Sequence, residues 1–165
     1  RQQQVIDTIQ EVKDQGAQVI IVSFHWGTEK SNIPDDIQKT LAHLAVDQGA
    51  DLVVGHHPHV LQGIEKYQGK NIVYSLGNFC FGGNSAPSDM DTMIFQQTFT
   101  FENGQKVEDR NARIIPCMVS SVSTRNDFKP TPAAGEDKKR ILQRMNEYSR
   151  DFGVEFDENG GILVN

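Results

Sequence analysis

Two apolar runs in the chain each follow the tetrapeptide Asp-Gln-Gly-Ala and each lead to histidine. The tetrapeptide occupies 14–17 and recurs at 47–50. Both runs that follow it are rich in β-branched residues, which is typical of strands buried on both faces of a parallel sheet. Between them, apolar residues recur at helical spacing from about 34 to 48. This pattern predicts a strand–helix–strand unit, the feature that most constrains the fold.

Such a unit normally forms a right-handed crossover between parallel strands. If the two strands are neighbours, His25 lies level with His57 and His59 at the carboxyl edge of the sheet, where open α/β sheets bind ligands. In an extended or loop segment, residues i and i+2 point the same way, so His57 and His59 can reach one centre. Neutral imidazole suits zinc, iron, manganese or nickel. We predict a shared metal site; the alternative is a polar loop that happens to contain histidines.

The rest of the chain predicts a mixed α/β fold in a single domain over 1–165. Alternating apolar residues indicate a half-buried strand, and the Asn103-Gly104 pair after it is a strong hairpin signal. A parallel β-α-β unit is therefore followed by an antiparallel hairpin. The further predicted elements are strands over 71–79, 93–101 and 111–122, and a helix over about 136–151.

Two polar residues, Glu29 and Asn78, have both a functional and a structural interpretation, and three others have one each. Glu29 has a functional interpretation, in which it accepts a proton, hydrogen-bonds to a metal ligand or binds a substrate group. Its structural interpretation is that of a solvated loop residue. Asn78 offers its amide to a metal or an anionic ligand, or it is a turn residue. His43, on the polar side of the second helix, is interpreted as a solvated surface histidine. Asp89 and Asp91 are interpreted as loop charges.

The composition of the chain argues against one function, the binding of nucleic acid. The formal net charge is -6, and nucleic-acid binding needs a basic face, so we expect no nucleic-acid partner. No run reaches the roughly 18 apolar residues of a membrane span, so we expect the chain itself to be soluble. Nucleophile-elbow, phosphate-binding and dinucleotide-binding glycine motifs are absent in the required context.

Four further observations are the stretches SFHWGTE (23–29), VVGHHPHVLQGIE (53–65), NIVYSLGNFCF (71–81) and NDFKPTP (126–132). Together they resemble the poly-γ-glutamate capsule biosynthesis protein family of the CapA type, within the calcineurin-like metallophosphatase superfamily. The resemblance implies an α-β-β-α sandwich of two mixed sheets flanked by helices, of which this chain forms part.

The resemblance also implies roles for individual residues. His25 matches the superfamily's isolated histidine ligand, and His57 and His59 match the two histidines of its Gly-His-x-His block. Glu29 and Asn78 lie in family motifs and are candidate catalytic residues. The superfamily's earlier Asp-x-His, Gly-Asp and Gly-Asn-His blocks are not found here, so we expect the chain to be the later part of such a domain.

The implied function of the parent protein is that of a metal-dependent hydrolase, acting on a phosphoester or on an anionic polymer. With an incomplete site, this chain is expected to bind at most one manganese, zinc, iron or nickel ion and to show little activity. The alternative is a non-catalytic component of a capsule synthesis or export complex with a structural or vestigial metal site. By resemblance the parent is membrane-associated, at the extracellular face of the cell envelope.

Overall fold

The computed structural model describes residues 1–107 and 111–163, which contain three α-helices and eleven strands. No helix in these two ranges is long and apolar enough to cross a membrane. The helices are α1 (Gln2–Asp14), α2 (Asp36–Asp47) and α3 (Gly135–Ser149), with a 3-10 turn after α3 at Arg150–Phe152. The strands are β1 (Ile21–His25), β2 (Leu52–His56), β3 (Ile64–Tyr67), β4 (Lys70–Val73), β5 (Asp91–Gln97), β6 (Thr100–Glu102), β7 (Gln105–Val107), β8 (Ala112–Met118), β9 (Thr131–Pro132), β10 (Glu155–Phe156) and β11 (Ile162–Leu163).

Four strands form the first sheet, in the order β1-β2-β4-β3. β1, β2 and β4 are parallel, and β3 pairs antiparallel with β4. Helix α2 connects β1 to β2, so the predicted β-α-β unit is confirmed. A capping box starts this helix, because Asp35 and Gln38 each accept a hydrogen bond from the other's backbone N–H through their side chains. The predicted strand over 71–79 is shorter than expected, and no sequence signal predicted β3.

The expectation of burial on both faces is right for β2 and wrong for β1. Leu52 and Val53, consecutive residues of β2, are both buried. Ile21 of β1 is 54% exposed, and β1 is an edge strand of the sheet formed by the described residues. A strand with one neighbour leaves part of its side chains in solvent, so β-branched composition alone overestimated the burial of β1.

Two apolar clusters pack on the first sheet. One contains Val53 and Ile72 with residues of α1 and α2. The other contains Leu52 and Val73 with residues of β5, β8 and α3, such as Ile114 of β8. Because neighbouring residues of a strand point to opposite faces, the clusters cover opposite faces of the sheet. The mixed α/β class is therefore confirmed, while the four-layer sandwich and the single domain stay predictions.

The second half of the chain is antiparallel, as predicted. β5, β8 and β9 form one sheet, and β6 pairs with β7 in a separate hairpin. Asn103 and Gly104 turn that hairpin with φ values of 51° and 77°, as a tight two-residue turn requires. The strand predicted over 93–101 is divided between β5 and β6, so its period-two pattern spans two elements.

Asp89 and Asp91 connect the start of β5 to α3 through ion pairs. Asp89 lies in a loop, as predicted, but Asp91 belongs to β5, and the interpretation did not include their arginine partners. Asp91 is only 4% exposed and contacts both Arg140 and Arg144. Asp89 binds Arg144 through two hydrogen bonds. Bidentate arginine–carboxylate pairs are among the stronger charged contacts in proteins. They hold the start of β5 against α3.

Candidate metal site

The three predicted histidines meet at the carboxyl edge of the parallel strands. β1 and β2 end level, because His25 is the register partner of His56. The ring centroids of His25 and His57 are 4.5 Å apart, and those of His57 and His59 are 5.8 Å apart. The structure therefore places the rings of His25 and His59 next to that of His57, but the ligand atoms of His25 are not part of the cluster formed by His57 and His59. The roles of all three as metal ligands stay predictions.

A carboxylate joins two of these histidines in a set that fits a metal ion. Potential ligand atoms of Glu29, His57 and His59 all lie within 4.8 Å of one another. Two ligands of a zinc-like ion are at most about 4.2 Å apart, so small side-chain rotations bring the set into range. Two imidazoles and a carboxylate are donors suited to zinc, iron, manganese or nickel. Glu29, predicted as a catalytic candidate, therefore lies where a ligand would.

The backbone at His57 and His59 is left-handed, so the two residues lie in a loop, one of the two conformations that the prediction from i, i+2 spacing allowed. Their φ values are 101° and 61°. Such conformations are uncommon for residues other than glycine and cost about 1–3 kcal/mol each, persisting where surrounding contacts enforce them. One such contact lies between the two residues, where the Lys30 N–H donates to the Pro58 carbonyl at 2.7 Å. The rings converge through this bent loop.

Asn78 positions the ring of His59. Its side-chain oxygen lies 2.7 Å from Nδ1 of His59, and its amide nitrogen donates to the His59 carbonyl at 3.2 Å. Because an amide oxygen can only accept, Nδ1 carries the proton and Nε2 keeps its lone pair for a ligand. Asn78 is buried, which fixes this arrangement. Its predicted contact with a metal or an anionic ligand stays a prediction.

Replacing Asn78 with alanine is expected to weaken metal binding about 10- to 100-fold, because His59 loses the acceptor that sets its tautomer. Asn78→Asp keeps an oxygen near Nδ1 and should retain most of the affinity. Calorimetric titration of both variants with Zn²⁺ and Mn²⁺ checks the prediction. Equal affinities for the wild type and Asn78→Ala would contradict it.

A buried tryptophan supports the edge of the sheet behind the histidines. The Trp26 backbone N–H donates to the His56 carbonyl at 3.0 Å, and its ring N–H donates to the Tyr74 carbonyl at 2.9 Å. Burial, together with the hydrogen bond to Glu65, raises the pKa of the Tyr74 phenol. The phenol therefore stays neutral and donates to Glu65 at 2.5 Å. Gly55 leaves room for the tryptophan ring, since a Cβ there would meet Trp26 Nε1 at 2.3 Å.

His43 lies outside the candidate site, and its interpretation as a solvated histidine was wrong. Its Nε2 is 2.9 Å and 3.0 Å from the two carboxylate oxygens of Glu65. Its ring stacks on Tyr67 with centroids 3.9 Å apart. Helical periodicity placed His43 on the polar side of α2 but gave no sign that β3 packs there.

Asn126 was missed as a supporting residue. Its side chain donates to the carbonyls of Phe81 and Asn84, both at 3.0 Å. The Phe81 ring lies 5.1 Å from that of His59, so Asn126 holds a loop that packs against the site. Hydrogen bonds from Ser121, chiefly, lower the pKa of the neighbouring Asp127 carboxyl. The Asn-Asp-Phe sequence was the available signal, because Asn and Asp favour such local turns.

Comparison with protein families gives one match over half of the chain. A family model described as "Bacterial capsule synthesis protein PGA_cap" matches residues 1–83. This range contains all of the candidate ligands and Asn78.

Individual relatives extend the similarity beyond that range. The PGA biosynthesis protein CapA of Bacillus subtilis is 55% identical over 65 residues, covering 39% of this chain and 17% of the relative. The capsule biosynthesis protein CapA of Bacillus anthracis is 34% identical over 140 residues, 85% of this chain and 31% of the relative. A "Probable polyglutamine synthesis accessory protein" of Mycobacterium tuberculosis is 40% identical over 143 residues, 82% of this chain and 35% of the relative. The chain thus spans about a third or less of these relatives.

Proposed function

Since the chain belongs to the bacterial capsule synthesis protein (PGA_cap) family, we propose that it is part of a metal-dependent hydrolase acting in capsular poly-γ-glutamate synthesis. The observation that carries the proposal is the convergence of Glu29, His57 and His59 at the carboxyl edge of the parallel strands. Ligands of open α/β sheets bind at this edge. Two histidines and an acidic residue are also a known ligand set of catalytic metal sites.

In the proposed site, His57 and His59 bind a manganese, zinc, iron or nickel ion through ring nitrogens, and Glu29 binds it through its carboxylate. His25, whose ring is next to that of His57, is proposed as a further ligand. A bound divalent ion polarises a phosphoryl oxygen and activates water. Asn78 keeps Nε2 of His59 available, and the charge of Glu29 offsets part of the charge of the cation.

The proposed substrate is anionic, because a divalent cation exceeds the charge of the one carboxylate in the set. A phosphoester and a segment of the glutamate polymer both have this character. The names of the relatives support a setting in capsule synthesis. We propose that the parent protein acts at the outer face of the cell envelope, in contact with a membrane-bound capsule-synthesis complex.

One observation favours a second, non-catalytic function. Among the described residues, the cluster contains a single carboxylate, Glu29. Two-metal hydrolases use carboxylates to bridge the ions and offset their charge. A site of this composition holds one ion, and one ion can serve a structural role in a synthesis or export complex.

Metal analysis and an activity assay separate these functions. Elemental analysis of the 165-residue chain should give one ion per chain, with little hydrolysis of an aryl phosphate by the chain alone. The product of the whole gene should hydrolyse that substrate with at least one of manganese, zinc, iron and nickel. Absence of turnover with all four ions would overturn the proposed hydrolase function and favour the structural role of the metal. Absence of bound metal would overturn the site itself.

A further inference from the structure

We propose that two buried glutamines, Gln38 and Gln62, position Glu29 for metal binding. They join the ligand loop (residues 26–33), which carries Glu29, to the histidine loop (residues 57–62). Their side-chain amides hydrogen-bond to each other and to the backbone of Asp35 and Ser31, so we assign them as positioning residues and not as ligands. The inference rests on the metal site proposed above.

Glu29 depends on its loop for its position. Its side chain is exposed, and the described structure gives its carboxylate no hydrogen-bond or ion-pair partner. The ligand loop is therefore what brings the carboxylate within 4.8 Å of the histidine nitrogens. If the loop sampled several positions, the carboxylate would be correctly placed for only part of the time. The apparent metal affinity would then be multiplied by the fraction of molecules in the binding-competent position.

The two glutamines form a directional relay between the loops. Nε2 of Gln38 donates to Oε1 of Gln62 at 2.8 Å. Nε2 of Gln62 then donates to the Ser31 carbonyl at 2.9 Å, two residues from Glu29. Both glutamine side chains are fully buried. A buried amide without partners is costly, so each bond of the relay has a strong preference for staying formed.

The direction of the relay is set at the start of α2. Oε1 of Gln38 accepts from the Asp35 N–H at 3.0 Å, as part of the capping box. With that oxygen occupied, Gln38 presents its NH₂ group to Gln62, which must accept through its oxygen. The NH₂ group of Gln62 is then directed to the Ser31 carbonyl. Because both amides are neutral, they connect the two loops by hydrogen bonds without burying a charge.

Other contacts flank the relay and confirm the course of the ligand loop. The Lys30 N–H donates to Pro58, and Nδ2 of Asn32 donates to the Leu61 carbonyl at 2.8 Å. At Gly27 the loop runs so close to Gln38 that a Cβ would lie 2.6 Å from its Oε1. The relay is therefore the buried centre of the contact between the two loops.

The test compares Gln62→Met with a matched control, Asn71→Leu, in the 165-residue chain. Asn71 also donates from a buried amide to another amide, Gln97 at 3.0 Å, but at the opposite end of the parallel strands. Calorimetric titration with Zn²⁺ and Mn²⁺, at a temperature where all variants are folded, should show Gln62→Met binding about 10- to 100-fold more weakly. The control should change affinity by less than about twofold.

A double-mutant cycle distinguishes positioning from general loosening of the fold. In a Glu29→Ala background, Gln62→Met should cost less than about twofold in affinity, because the carboxylate it positions is gone. An equal loss in both backgrounds would overturn the proposal. Gln38→Met removes the other member of the relay. It replaces Gln62→Met in these titrations if Gln62→Met does not fold.

Hydrogen exchange in the metal-free chain tests the relay independently of the metal site. Exchange at the Lys30 amide should be about tenfold faster in Gln62→Met and unchanged in Asn71→Leu. Unchanged exchange at Lys30 in Gln62→Met would overturn the relay. A wild-type chain that binds no ion would instead overturn the metal site, and with it the ligand role of Glu29.

Discussion

Replacing His57 with alanine is expected to lower the affinity for Zn²⁺ or Mn²⁺ by more than about 100-fold. Removing a residue that only orients a ligand already costs about 10- to 100-fold, and His57 is itself a proposed ligand. Its ring is also next to those of both other histidines, with centroid distances of 4.5 Å to His25 and 5.8 Å to His59. Calorimetric titration measures the affinity, and circular dichroism verifies that the variant is folded.

The matched control for His57 is His43→Ala. His43 is also a partly buried histidine, but it lies on α2 against Glu65 and Tyr67. Its loss should leave metal affinity unchanged. If His57→Ala binds metal as well as the wild type does, the assignment of the site is wrong. A large loss in His43→Ala would equally contradict it, because the metal would then lie elsewhere.

Replacing Gly55 with alanine is expected to lower the free energy of unfolding by about 3–5 kcal/mol, the largest stability effect we predict. The added Cβ would lie 2.1 Å from the Tyr74 carbonyl and 2.3 Å from Trp26 Nε1. Neither is the end of a flexible side chain. The cost combines overpacking with disruption of the Trp26–Tyr74 hydrogen bond. For a chain of this size the melting temperature should fall by roughly 6–20 °C.

Gly82→Ala is the control for Gly55, because a Cβ at Gly82 would have no heavy atom within 4 Å and its φ is not positive. It should change stability by less than about 0.5 kcal/mol. Thermal and denaturant unfolding of both variants provide the comparison. Similar stabilities for Gly55→Ala and Gly82→Ala would show that the sheet relaxes around residue 55 without loss of the tryptophan contact.

The local patterns of the chain predicted its main elements well. The β-α-β unit, its histidine-bearing edge and the Asn103-Gly104 turn were all recognisable, since helix starts, turns and apolar periods depend on neighbouring residues. Burial was harder to predict. Ile21 and Val53 belong to similar apolar runs, yet one is exposed at a sheet edge and the other is buried.

Pairings between distant polar residues could not be predicted. Asp91 looked like a loop charge until α3 brought Arg140 and Arg144 to it. His43 looked like a surface residue until β3 placed Glu65 beside it. No period or spacing encodes such contacts, because they depend on how separate elements pack against one another.

By itself the sequence determined the parallel β-α-β unit, and therefore the edge of the sheet at which His25, His57 and His59 gather. These features arise from short-range preferences of helix, strand and turn. Only the tertiary structure decided which atoms meet there, including Glu29 beside two histidines and Asn78 at Nδ1 of His59. The physical reason is that irregular loops take their course from long-range hydrogen bonds, and such bonds form only once the packed elements have fixed the distances between their partners.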